Sequence, residues 1–151
     1  MGEVNLFVNS MGYKFLEHTA DIKILVEESN LDEAFKTSAM ALKQVMAENI
    51  EVAPKINRIL TLEEKDIKDL LYRFMEEFIY LLDAEDFLLS EIVDLEVNKD
   101  SEKDIFVLSA TISGDNASDY KFTNDVKAVT FSDMKIEESE GKCVIQLVLD
   151  V

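Results

Sequence analysis

Two carboxylates stand where the chain makes them costly. Asp21 heads the largely apolar run DIKILVEE, and Asp150 closes CVIQLVLDV, in which Gln146 is the one polar residue before it. A charge at the end of such a strand must be solvated, paired or bound to a metal. If the two strand ends meet, Asp21, Asp150 and the main-chain or terminal oxygens of Val151 make an oxygen-only set. Hard divalent cations such as calcium or magnesium prefer that set. Ordinary solvation of two strand ends is the competing reading, and spacing alone does not choose between them.

The only histidine, His18, lies in FLEHTADI between Glu17 and Asp21. With a single imidazole, a Ser-His-Asp triad has to recruit His18, and no serine stands out as its partner. Glu17, His18 and Thr19 read more simply as a polar turn, with Thr19 capping local N–H groups. Lys127, in DVKAVTF, sits in an apolar strand, where a lysine either snorkels to solvent or faces something acidic. Cys143 is alone, which rules out a disulfide framework or thiolate metal cluster and fits a reducing cytoplasm. The chain has no Gly-rich phosphate loop, HExxH or GxSxG motif.

The elements that must position these groups follow from patterning. IKILVEE alternates as a strand. Asn30 with Glu33 forms a capping-box-like start, and Leu31, Phe35, Leu42 and Met46 give residues 31–48 an apolar helical stripe. Pro54 ends any continuation, and a short strand follows over residues 56–63. Asp66 caps a second helix over 67–84, whose stripe runs through Ile67, Leu70, Leu71, Phe74, Phe78, Leu81 and Leu82. From residue 87 the period changes to two. FLLSEIVDLEV and DIFVLSATIS flank a polar loop, NKDSEK, and VKAVTF and CVIQLVLDV are linked around EESEGK. The expected fold is α+β: two helices packed on a largely antiparallel β-sheet sandwich.

At 151 residues the chain suits one domain over residues 12–151, with residues 1–11 as an N-terminal extension that could be flexible. MGEVNLFVNS has neither the basic start nor the apolar stretch of a signal peptide, and no apolar run approaches a membrane span. Thirty-two acids against fifteen bases give a formal net charge of −17. Direct nucleic-acid binding relies on Lys and Arg, and only Arg58 and Arg73 are arginines, so this balance argues against it. It suits cations or a basic protein.

FLEHTADI, LLYRFMEEFIYLLDAE, VKAVTF and a chain ending on LDV, in that order and spacing, resemble the archease family over residues 12–151. The resemblance implies an α+β sandwich and a protein that is no enzyme itself. Archeases activate the GTP-dependent tRNA-splicing RNA ligase, promoting its guanylylation and repeated turnover. By the same resemblance the metal ligands fall on Asp21, Asp150 and Val151, with calcium the expected ion and magnesium or manganese alternatives. The activating lysine falls on Lys127, and Glu17, His18 and Thr19 keep a supporting role. The expected partner is the ligase in the cytoplasm, with no membrane. Two other readings compete: an acidic chaperone-like adaptor for nucleic-acid-modifying proteins, and a metal-dependent phosphohydrolase. The latter lacks the additional ligands and general base that two-metal hydrolysis uses.

Overall fold

The computed structural model describes residues 5–8, 12–18 and 21–151, with the backbone alone described for 5–8, 17 and 18. In chain order the strands and helices are β1 (Asn5–Val8), β2 (Tyr13–His18), β3 (Asp21–Glu28), α1 (Leu31–Ala47) and β4 (Ile56–Glu64). There follow α2 (Ile67–Glu85), β5 (Phe87–Asp100), β6 (Ile105–Asn116), β7 (Ala128–Ser139) and β8 (Lys142–Asp150). Residues 5–8, part of the stretch read as an extension, pair with β2.

Both helices start as the sequence dictates. The Asn30 side chain accepts the Glu33 N–H at 2.9 Å, and Asp66 accepts that of Lys68 at 2.9 Å. Each helix thereby satisfies one of the amide donors left open in its first turn. α2 stops at Asp86, which takes the left-handed conformation, and its carboxylate then receives the Ser118 N–H and hydroxyl.

Every strand pair is antiparallel. One sheet has the order β1-β2-β3-β8-β7 and the other β4-β6-β5. α1 packs on β3, β8 and β2 from one side and on β5 from the other, while α2 contacts β7 and also β4, β5 and β6. The helix pair therefore lies between the two sheets, giving the expected α+β sandwich. This explains why α1 buries so wide an arc, including Ala34, Phe35, Ala39, Ala41, Leu42 and Met46. Toward α2, Phe35 stacks on Phe74 at 5.9 Å.

Some boundaries differ from the sequence reading. The loop expected at 98–103 is shorter, because Asp100 accepts the N–H groups of Glu102 and Lys103 and pairing continues through Asp100↔Ile105. The β7–β8 turn also narrows, to Glu140-Gly141, with Gly141 at φ 72°. Gly114 on β6 marks a close approach: a Cβ there would lie 2.2 Å from the Leu88 carbonyl oxygen and 2.6 Å from Phe87. No helix among the described residues is long and apolar enough to cross a membrane.

Candidate metal centre

Four strands bring the candidate residues to one end of the larger sheet. Across β2, β3, β8 and β7 the register runs His18↔Asp21, Asp21↔Asp150 and Asp150↔Ala128. β8 is thus inserted between β3 and β7, and the two aspartates face each other directly. Register-opposite side chains lie on one face with Cβ atoms about 5 Å apart, a destabilising arrangement for like charges. Asp21 is half-buried and Asp150 exposed.

Lys127 comes to the same place by its backbone. Its N–H donates to the Asp150 carbonyl at 2.8 Å, holding the start of β7 against the end of β8, and its side chain is exposed. Val151 follows Asp150 directly and is half-buried. The structure therefore brings together Asp21, Asp150, Val151 and Lys127. Thr19 lies outside the described residues, as do the side chains of Glu17 and His18; the backbone of His18 is Asp21's register partner.

Two carboxylates and a main-chain oxygen fit a hard cation by donor type. Among the described residues no three His, Cys, Asp or Glu side chains gather as a metal-holding group. Calcium takes six to eight oxygens, so these three donors would leave positions for further ligands.

The sequence reading missed Glu76. Its Oε2 accepts the Val129 N–H at 3.2 Å, so an α2 side chain satisfies a donor on the outer edge of β7, two residues from Lys127. Glu76 Oε1 also accepts the Tyr72 hydroxyl at 3.5 Å, and Tyr72 stacks on the half-exposed Phe131 at 4.3 Å. Burial, with the Glu76 charge beside it, pushes the Tyr72 phenol above its usual range. In the sequence Glu76 is one polar residue on a helix, and no local pattern marks its long-range bond.

A second polar cluster, around Asp115, is structural. Tyr120 donates its hydroxyl to Asp115 at 2.7 Å and accepts the Ala53 N–H at 2.9 Å, while Asn116 N–H also donates to Asp115. The Tyr120 bond, then the backbone bond, hold the Asp115 carboxyl below its ordinary range despite its burial, and Lys55 adds a weaker attraction. The cluster ties the α1–β4 connection to β6. Cys143 is fully buried on β8, where burial and then the Glu138 charge raise its thiol to about 11, so it is inert at neutral pH.

Comparison with known proteins agrees with this architecture. The model of the Archease protein family (MTH1598/TM1083) matches residues 13–151. A protein archease of Pyrobaculum neutrophilum is 37% identical over 142 residues, covering 92% of this chain and 95% of its own. One of Thermococcus kodakarensis is 35% identical, covering 92% and 98%. The solution structure of Methanobacterium thermoautotrophicum protein 1598 superposes with a TM-score of 0.76 at 27% identity, over 93% of this chain and 99% of that one. A Thermotoga maritima archease, described as a possible chaperone, shares the fold with a TM-score of 0.61 at 16% identity, over 89% and 94%. This chain belongs to the archease family.

Proposed function

We propose that the chain is a non-catalytic activator of a GTP-dependent tRNA-splicing RNA ligase, working through a divalent-cation site at the β3–β8 tip. The observation that carries this reading is the direct Asp21↔Asp150 register, with Lys127 bonded alongside. Asp21, Asp150 and the Val151 main-chain oxygen would hold the cation, calcium by preference. Bound there, it would supply concentrated positive charge able to engage phosphate or carboxylate oxygens of a partner.

The chain's own residues do the rest. The open ligand set lets a partner complete the coordination sphere, which couples cation binding to docking. Lys127 is tied to Asp150 by its backbone and leaves its ammonium exposed to a partner, and the Val129–Glu76 bond fixes the strand that follows it. The net charge of −17 favours approach to a basic, RNA-handling protein and predicts activation that weakens as salt rises.

The test is multiple-turnover joining of RNA ends by the ligase, with GTP, in the presence of wild type, Asp21→Ala, Asp150→Ala or Lys127→Ala. The reading expects each variant to fold but to activate at least tenfold less, with guanylylation of the ligase reduced in parallel. Normal activation by all three refutes it. A second reading, a chaperone-like adaptor, draws on the description of the Thermotoga neighbour as a possible chaperone. It expects activation to survive loss of both aspartates and to fail when surface acids are neutralised.

A further inference from the structure

Beside the carboxylate pair, on the helix side of the sheet, lies a cleft of about 300 Å³. Phe15, Ile22, Val45 and Val151 line it with apolar groups, beside Gln44 and the exposed carboxylates of Glu48 and Asp125. Ile22 follows Asp21 and Val151 follows Asp150, so strand alternation turns these two neighbours to the face opposite the carboxylates. The cleft and the carboxylate pair are two sides of one sheet end.

The charged residues in its lining are both acidic. α1 ends against it with no basic residue in its last turn, leaving the negative end of the helix dipole uncompensated. Glu48 caps that helix in an unusual conformation, φ 52° and ψ −130°, with its N–H bonded to the Gln44 carbonyl at 2.8 Å. Such backbone geometry is costly for a non-glycine residue and places a carboxylate where the helix carbonyls already attract cations. Among the described residues neither Glu48 nor Asp125 enters a salt bridge. The neighbouring depression across Glu48 includes Lys121, so the charges in its lining are mixed.

An apolar lining beside two carboxylates suits a ligand with an aliphatic stem and a cationic head. The volume is at the low end for binding pockets and holds one long side chain rather than a helix or strand. A guanidinium matches better than an ammonium, because its planar fork can bond two carboxylates at once. We propose that this cleft is a socket for a single arginine side chain of the partner protein, anchoring it while the opposite face presents the carboxylate pair. The proposal rests on the activator reading for the partner's identity, but the socket can be tested without it.

Two measurements decide it. In the first, isotope-labelled protein is titrated with N-acetyl-arginine methylamide, the lysine analogue and the uncharged citrulline analogue, and amide shifts are followed by NMR. Saturable shifts at Val45, Glu48 and Asp125, strongest for arginine and absent for citrulline, are expected. Scattered or absent shifts with arginine overturn the socket. In the second, binding to the ligase is compared for wild type, Val45→Trp and Glu48→Gln/Asp125→Asn. A Glu96→Gln/Glu102→Gln variant on the remote hairpin controls for lost charge. The expected result is about tenfold weaker binding for the first two variants, the scale of a lost anchor residue. Their turnover at saturation should stay unchanged, and the control should bind within about twofold of wild type. Equal binding by all of them overturns the anchoring role. If wild type fails to bind the ligase at all, the activator reading falls while the NMR result still decides the socket.

Discussion

Replacing Asp150 by Asn should invert its effect on stability when calcium is added. Asp21 and Asp150 are register-opposite, so their charges lie about 5 Å apart. At water's dielectric constant two such charges repel by roughly 0.8 kcal/mol. Physiological salt cuts that to about half, because the separation approaches the Debye length. In chelator the variant should therefore melt about 1–2 °C above wild type, given about 2–4 °C per kcal/mol for a chain of this size. With calcium at about a hundredfold its dissociation constant, wild type gains about 2.7 kcal/mol, or about 5–11 °C. Asp150→Asn forfeits most of that gain, so the order of the two melting curves reverses. Differential scanning calorimetry in chelator and in calcium gives all four values. The reasoning is refuted if calcium, magnesium and manganese leave wild type unmoved, or if the variant keeps the full calcium shift.

Other expectations follow from groups away from the tip. Gly114→Ala sets a methyl 2.2 Å from a carbonyl oxygen and should cost about 3 kcal/mol or more, read as a lower urea midpoint. The Asp115 carboxyl is depressed in the fold, so its contribution is full above the unfolded pKa near 3.9 and is lost as pH falls through the folded value. Tyr120→Phe removes the largest cause of that depression and should move the acid-unfolding midpoint to higher pH. Cys143, raised to about 11, keeps its proton in the fold while the unfolded thiol loses it near 8.5. Its contribution to stability is therefore present below about 8.5 and is lost as pH rises toward 11. A thiol reagent at pH 8 should label Cys143 only as fast as the protein unfolds.

Local order was legible because local causes set it. Asn30 and Asp66 start the helices where the capping pattern placed them. The apolar stripe of 67–84 matches an observed helix over Ile67–Glu85, and the switch to period two at residue 87 falls on Phe87, where β5 begins. The sheet partition was not legible. Nothing in CVIQLVLDV says that it lies between β3 and β7, since alternation fixes a strand's faces but not its neighbours. The candidate ligands could be nominated by the cost of charge at an apolar strand's end, yet their meeting depends on a register set by the whole core. Glu76 was invisible for the same reason: its partner, Val129 N–H, is brought to it only when α2 docks on β7.

The insertion of β8 between β3 and β7 also sets the order of events when the chain is made. Asp21 is synthesised well before the strand that faces it, and β3 and β7 each wait for β8 to pair between them. Contacts of such sequence separation close late because the loop entropy must be met first. A nascent or truncated molecule can therefore carry a complete pair of helices and a finished β4-β6-β5 sheet while displaying no acidic tip. The acidic tip therefore forms only once β8 has paired between β3 and β7, a late mark that the larger sheet is closed.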